Sequence, residues 1–455
     1  MKKIILHILR FLSKRIIKKY QPKIIGITGS VGKTSARDAI FAVLSVRFNV
    51  RKNIKNYNNE FGLPLTVIGM ESPGGSAKGW FEVIKRGVSL LLKKQEYPEI
   101  LILEMGVYYP GDIDYLINIA PVDVGVLTAV AEAHLKTAPE TAKESAARKI
   151  MDTSGFGTIE RIMKEKEKIV TKAKTNGRAV YNYDIEIVRG VESRLTNPSL
   201  SYGLGEGADV RARDISFVGL EEEFCSTQSE WECKEWGTSF KVAFDGSSVP
   251  VFLPHVIGKQ QVYAALAAIS VGLSLDMNLI EISTALQKYR PEPGRMNVIA
   301  GNKGTLIIDD TYNSSPIAAR AAIDMAQSIQ LKGGARRFAV LGSMLELGES
   351  SEKLHREIGT YVVDHVFDFL FCVGSETLAM CEAAKEAGLD PIHVKHFDSS
   401  LDAGEVLEDF IQSNDLILVK GSQGARMEKV VKQVMADPLR AEELLVRQTG
   451  EWKGK

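Results

Sequence analysis

Two rhythms of apolar residues alternate along the chain. Short unbroken runs at Ile24–Ile27, Glu99–Glu104, Val122–Thr128, Ala179–Asn182, Thr305–Ile308, Arg337–Leu341, Phe369–Val373 and Leu416–Val419 read as buried strands. Between them, apolar residues at helical spacing predict helices over Ser35–Val46, Trp80–Lys94, Gly111–Ile119, Arg161–Lys174 and Gln261–Leu275. Strand and helix in turn predict an α/β fold with parallel sheets. From about Ser199 to Phe252 the pattern shifts to short alternating strands with turn residues such as Asp245-Gly246, read as a β-rich flap on the first domain. Pro293-Gly294-Arg295-Met296 reads as a hinge, after which the alternation of strand and helix resumes.

The first 22 residues follow neither rhythm. Lys2, Lys3, Arg10, Lys14, Arg15, Lys18 and Lys19 are interleaved with Ile4, Ile5, Leu6, Ile8, Leu9, Phe11, Leu12, Ile16 and Ile17. Arg10 and Lys14 break the apolar runs, which excludes a spanning helix of about 20 apolar residues. Small residues of a signal-peptide cleavage site are absent before Pro22. Two readings stay open. One is a basic amphipathic helix lying on an anionic membrane surface, and the other is a helix packed on the domain or on a partner.

Length and composition narrow the classes. A chain of 455 residues holds about two or three domains. Lys plus Arg and Asp plus Glu are equal at 57 each, and the body of the chain has no basic stripe with aromatics, so nucleic acid is not an expected partner. The 4 cysteines in a chain of this length do not suggest a disulfide scaffold, and without a Cys-x-x-Cys pair zinc is an unexpected ligand. Cys225 and Cys233 are placed to face each other across a hairpin, and a reducing cytoplasm fits the cysteine usage.

The chemistry concentrates at strand ends. The run Thr28-Gly29-Ser30-Val31-Gly32-Lys33-Thr34-Ser35 links the first strand to the first helix. A glycine-punctuated turn there aims backbone N–H groups and a helix N-terminus at a phosphate chain. Lys33 reaches the terminal phosphates in such a loop, and the Thr34 hydroxyl holds Mg²⁺. The general pattern has a glycine five residues before Gly32, where this chain has Ile27. Glu104 ends the second apolar run, where a doubly wound fold places ligands, and its carboxylate is suited to Mg²⁺. His134 follows the next strand end.

The shortened phosphate loop resembles that of the Mur ligase family, and the resemblance extends over nearly everything after residue 22. Asn56-Tyr57-Asn58-Asn59-Glu60-Phe61-Gly62-Leu63-Pro64 is similar to the family's Asn-x-Asn-Asn-x-x-Gly-x-Pro segment in its D-alanyl-D-alanine-adding branch. Ala133-His134-Leu135, Gly155-Phe156-Gly157-Thr158-Ile159-Glu160, Asp309-Asp310-Thr311-Tyr312-Asn313-Ser314-Ser315-Pro316, Gly342-Ser343-Met344-Leu345-Glu346-Leu347-Gly348 and Lys420-Gly421-Ser422 match further family segments in order. At the helix after Gly258 the family's His-Asn pair is replaced by Gln260-Gln261, and its second asparagine by Ala264. Ser343 stands where the family has aspartate.

The resemblance implies a P-loop α/β central domain over 23–296 and a Rossmann-like α/β domain over 297–455. It implies an ATP-dependent, ADP-forming amide ligase of peptidoglycan precursor synthesis, joining D-alanyl-D-alanine to a UDP-MurNAc-tripeptide-like carboxylate through an acyl phosphate. Gly29, Ser30, Gly32, Lys33, Thr34, Ser35, Gln261, Arg295, Asp310 and Tyr312 become the ATP contacts. Two Mg²⁺ ions fall to Thr34, Glu104, His134 and Lys166. Lys166 is reached by counting along the helix from the Gly-Phe-Gly segment and is the candidate for carbamylation, with Lys164 and Lys168 as near neighbours. Asn56, Asn58, Asn59, Glu346, Lys420 and Ser422 become substrate contacts. The implied partner is a small-molecule or lipid-linked cell-wall precursor, handled by a cytoplasmic monomer with peripheral membrane contact through residues 1–20. Two alternatives stay open: a ligase of this architecture with a polyglutamate or cyanophycin-type acceptor, and a non-catalytic nucleotide-binding scaffold.

Overall fold

The computed structural model describes residues 2–54, 57–130, 158–219, 224–449 and 452. Among them fifteen strands form two sheets, and the chain divides into two units. One unit comprises Met1–Asp214, Phe240–Val251 and Val262–Tyr289; the other comprises Ile215–Ser239, Phe252–Gln261 and Arg290–Lys455.

The first sheet contains β1 (Lys23–Thr28), β2 (Val50–Lys52), β3 (Ile100–Glu104), β4 (Val124–Leu127), β5 (Arg178–Asn182), β6 (Ser199–Gly203), β7 (Val210–Val218), β8 (Gly237–Phe244) and β9 (Ser247–Pro254). Their order is β2-β3-β1-β4-β5-β6-β7-β8-β9. β1 lies between β3 and β4 and is parallel to both, with Ile27 opposite Glu104 and Thr28 opposite Leu127. Strands β3 and β4 are wholly buried and β1 nearly so, which is why they read as unbroken apolar runs rather than as alternation. The order reverses at β1, so the C-terminal ends of β1, β3 and β4 border the crevice where doubly wound sheets bind ligands.

The stretch expected to form a flap instead continues this sheet. β6 pairs in parallel with β5, and β7, β8 and β9 follow it in order. Cys225 and Cys233 do not face each other across a hairpin. Thr227 opens the helix Gln228–Cys233 between them with a capping box, leaving Cys225 buried and Cys233 exposed. The expected Arg161–Lys174 helix is two, Ile159–Lys166 and Lys168–Thr171, with Glu167 between them.

Helix Lys2–Tyr20 packs on this unit. Leu6, Leu9, Leu12, Ile16 and Ile17 are buried, and the last four share a core with Leu63, Ile68, Val83 and Leu90 from the helices Gly62–Ile68 and Ala77–Leu92. Each such side chain contributes roughly 1.5–3 kcal/mol. Lys19 Nζ donates to the carbonyls of Leu90, Leu91 and Lys93 at 2.8, 2.9 and 2.7 Å, satisfying the orphan end of the second helix. The main apolar stripe of the first helix is therefore spent on protein, as the packed-helix reading expects.

The second sheet contains β10 (Asn297–Gly301), β11 (Thr305–Asp310), β12 (Arg337–Gly342), β13 (Phe369–Val373), β14 (Val394–Phe397) and β15 (Leu416–Lys420). Its order is β10-β11-β15-β12-β13-β14, with only β10 antiparallel to its neighbour. Separate apolar clusters include Leu306, Leu341 and Leu418 in one and Ile307, Val340 and Ile417 in the other, as alternation along buried strands requires. Asp310 lies opposite Lys420, so the loops after β11 and β15 emerge side by side.

Candidate functional site

In the first unit the loop after β1 is held by β4. Ser30 N–H donates to the Ala129 carbonyl at 2.5 Å, and Thr128 Oγ1 donates to the carbonyls of Thr28 and Val31 at 3.2 and 2.7 Å. A Cβ on Gly29 would lie 2.0 Å from Thr128 Oγ1, so only glycine fits there. Gly32, at φ 84°, turns the chain into helix Lys33–Leu44. Lys33 Nζ donates to the Gly29 carbonyl at 2.9 Å and the Ser30 carbonyl at 3.3 Å. Lys166 Nζ reaches the same Gly29 carbonyl at 2.9 Å from the end of helix Ile159–Lys166. Burial holds the Lys166 amine well below the usual lysine range, and repulsion from Lys33 adds to this.

The neighbouring lysines differ. Lys164 is exposed, whereas Lys168 pairs with Asp114 at 2.8 Å and Glu165 at 2.5 Å. Of the three lysines only Lys166 enters the phosphate loop.

Glu104 faces the loop from the end of β3. Thr34 Oγ1 donates to Glu104 Oε2 at 3.1 Å, and Asn58 Nδ2 donates to Oε1 at 3.3 Å. A hydroxyl beside a carboxylate, with a glycine cradle next to it, is a donor set suited to a small hard cation on a phosphate chain. Behind them lie residues that sequence reasoning missed. Arg37 is fully buried, donates to both carboxylate oxygens of Asp38 at 2.9 and 3.1 Å, and places Nη1 3.8 Å from Glu104 Oε2. Lys52 joins Asp38 at 2.7 Å. Asn53 accepts from Glu104 N–H at 2.5 Å, standing in for a strand neighbour. The Arg-Asp pair one residue beyond Lys-Thr-Ser was the available signal, since two charges on an otherwise apolar helix need partners.

Asn59 is used locally. Its Oδ1 accepts from the N–H groups of Phe61 and Gly62 at 3.1 and 2.9 Å, capping the start of helix Gly62–Ile68. Ser35 is buried in the first turn of its helix. Asn56 and His134 lie outside the described residues, as do Gly155, Phe156 and Gly157. Among the described residues no group of three His, Cys, Asp or Glu side chains is placed to hold a metal.

In the second unit, Lys420 Nζ bridges Asp310 Oδ2 at 2.5 Å and the Asn313 carbonyl at 2.9 Å. Asp310 Oδ1 accepts from Met296 N–H at 3.2 Å, and Tyr312 N–H donates to the Gly294 carbonyl at 3.0 Å. The Arg295 guanidinium lies 4.1 Å from the Tyr312 ring centre. Arg295, Asp310, Tyr312 and Lys420 are thus brought together. Ser422 joins them through Ser314, donating to its carbonyl at 3.4 Å while accepting from Leu345 N–H at 2.9 Å. Glu346 is exposed on this loop with φ 66°. Gln261 Nε2 donates to the Arg295 carbonyl at 3.1 Å, so this amide supports the hinge backbone. Arg447, also missed, donates to the carbonyls of Thr311 and Tyr312 and pairs with Glu428 at 2.9 Å.

Family models match both halves. The Mur ligase middle domain matches residues 27–150 and 151–272, and the Mur ligase glutamate ligase domain matches 294–423. The chain belongs to the Mur ligase family. It is 30% identical over 431 residues to the UDP-N-acetylmuramoyl-tripeptide–D-alanyl-D-alanine ligase of Bacillus subtilis, covering 95% of this chain and 80% of that protein. The Escherichia coli ligase of the same name is 26% identical, covering 90% and 76%. The MurF ligase of Thermotoga maritima, solved in complex with ADP, superposes with a TM-score of 0.72 at 27% identity, covering 96% of this chain and 84% of that one.

Against the Mur ligase pattern, the Ser343 departure has a local answer. Ser343 Oγ donates to Glu376 Oε2 at 2.6 Å, and this bond holds the Glu376 carboxyl below its usual range. A carboxylate therefore sits beside residue 343 although residue 343 is not acidic. His355 shapes the same loop. Its Nδ1 lies 2.8 Å from the Ser351 carbonyl and its Nε2 accepts from Met344 N–H at 3.0 Å, which requires the neutral ring that burial also favours.

Proposed function

We propose that this Mur ligase joins D-alanyl-D-alanine to the terminal carboxylate of a UDP-MurNAc tripeptide, with ATP converted to ADP and phosphate. The family identifies the enzyme as an ATP-dependent, ADP-forming ligase; the substrate pair is the reading that its relatives support. The observation that carries it is the convergence of Lys33 and Lys166 on one carbonyl of the phosphate loop, beside the Thr34–Glu104 pair. A glycine-turned loop with its lysine, beside a hydroxyl–carboxylate pair, supplies the parts that a Mg²⁺-bound phosphate chain needs.

The chain's residues then divide the work. Backbone N–H groups from Gly32 to Thr34 are assigned to cradle the phosphates. Lys33 offsets charge on the transferring phosphoryl group. Mg²⁺, when bound, would be held by Thr34 and Glu104 and would supply further charge neutralisation. A substrate carboxylate oxygen bonds the γ-phosphorus as the bond to the ADP oxygen breaks, giving an acyl phosphate. The amine nitrogen then bonds the acyl carbon, phosphate leaves and the amine loses a proton. Arg295, Asp310 and Tyr312 are assigned to the nucleotide, and Asn58, Glu346, Lys420 and Ser422 to the peptide substrates. Lys166 is assigned as the carbamate-forming lysine: its depressed pKa supplies a neutral amine for CO₂, and the resulting anion would be paired by Lys33.

Phosphate release from Mg-ATP tests this reading, with the tripeptide nucleotide and D-alanyl-D-alanine added singly and together. Release is expected only with both, and to fall by about 10²–10³-fold or more in Lys33→Ala. Release with a glutamate acceptor instead of the dipeptide would overturn the substrate assignment.

A further inference from the structure

Helix Lys2–Tyr20 buries one face and leaves another outward. Its Leu12 meets Gly87 and its Lys19 meets the end of helix Ala77–Leu92, so the two helices run side by side in the same direction. Their outward faces carry large apolar side chains. Phe11 is 56% exposed and Ile4 lies on the same face, while Phe81 and Leu92 are 63% and 80% exposed with Val88 between them. A shallow groove between the helices is lined by Phe11, Arg15, Lys18, Lys19 and Leu91.

The charge on this face is of one sign. Helix Lys2–Tyr20 contains no acidic residue. Among the described residues Lys3, Arg10, Lys14, Arg15 and Lys18 have no carboxylate partner. Arg10 and Lys14 share the Asn118 side-chain oxygen, with Arg10 at 2.8 Å. Burial lowers the Lys14 pKa and the nearby Arg10 lowers it further. The acid on the neighbouring helix, Glu82, lies 3.5 Å from Lys85.

We propose that this two-helix face docks on an anionic lipid bilayer, with Phe11, Phe81 and Leu92 entering the headgroup–acyl boundary and the flanking cations meeting lipid phosphates. Apolar insertion plus a basic patch is the two-signal combination that reversible membrane binding needs. The complementarity is with an anionic surface rather than with a second copy, because a two-fold pairing of this face would set cation against cation. The surface is separate from the catalytic residues, so it stands or falls independently of the substrate assignment. No helix among the described residues is long and apolar enough to cross a membrane, so the contact is peripheral.

Co-sedimentation with vesicles tests it, using phosphatidylcholine alone and phosphatidylcholine mixed with phosphatidylglycerol. The intact protein should bind the mixed vesicles, bind the neutral ones far less, and release as salt rises. Truncating the helix would strip the core, so surface substitutions are used. Lys3→Gln, Arg15→Gln and Lys18→Gln together should weaken binding by about 100-fold, from roughly fivefold per charge. Phe11→Ser with Phe81→Ser should weaken it at every salt concentration. Both variants should keep the phosphate-release rate and melting temperature of the parent. Equal binding to the two vesicle types, no binding to either, or binding unchanged in both variants would overturn the proposal. So would a dimer in light scattering that the same substitutions dissolve.

Discussion

The loop after β1 and the turn after β11 occupy equivalent places, each following a strand at the C-terminal edge of a largely parallel sheet. They are built differently. In the first, Lys33 and Lys166 donate to one backbone carbonyl. In the second, Lys420 is joined to Asp310 and Arg447 to Glu428. One loop gathers its lysines on the main chain, and the other ties two cations to carboxylates. Stability and activity should therefore separate between them.

The contrast is broken most severely at Asp310. Asp310→Ala leaves the nearly buried Lys420 ammonium uncompensated and should cost about 3–5 kcal/mol in urea unfolding. Lys166→Met, by removing a buried amine whose charged form burial disfavours, should leave unfolding stability unchanged or raised while phosphate release collapses. Equal destabilisation by the two substitutions would erase the distinction. A second test uses Asp309, whose carboxyl burial raises to about 7, against about 3.9 in an unfolded chain. Folding favours its protonated form, so this contribution to stability is full below about pH 4 and is lost as pH rises through 7. The loss is at most about 4 kcal/mol, and Asp309→Asn should flatten that slope in unfolding measured across the window. The smallest effect is expected at Gly29. An alanine Cβ there would meet Thr128 Oγ1 at 2.0 Å, and about 1–3 kcal/mol of strain should weaken ATP binding by about ten- to a hundredfold in calorimetry. Undiminished affinity would show that the loop opens freely at Thr128.

What the sequence disclosed was local. The strand, glycine turn and helix from Ile24 onward were legible because each is set by neighbours within a few residues. Glu104 was legible because it ends an apolar run. The Asp310–Lys420 partnership joins residues 110 apart in the chain, and nothing in either neighbourhood announces the other. The same holds for the approach of Arg37 and Asn53 to Glu104, which is defined only when β3 lies beside β1 and β2. The stretch after Ser199 was read as a flap because alternation predicts strands but not which edge they join. The first helix read equally well as membrane-bound or packed, because periodicity reveals an apolar stripe without saying what covers it. Its core contacts come from residues some fifty to eighty positions later.

That separation matters during synthesis. Lys19 and its carbonyl partner Leu90 are 71 positions apart, so the first helix leaves the ribosome well before the helices that shelter it. At about 5–20 residues per second, its aliphatic stripe stays uncovered for roughly 4–14 seconds. During that interval both of its faces are open to whatever binds a basic, oily helix. The nascent chain thus has its strongest tendency to adhere to chaperones or lipid before any ligase exists, and loses half of it when residues 63–91 arrive.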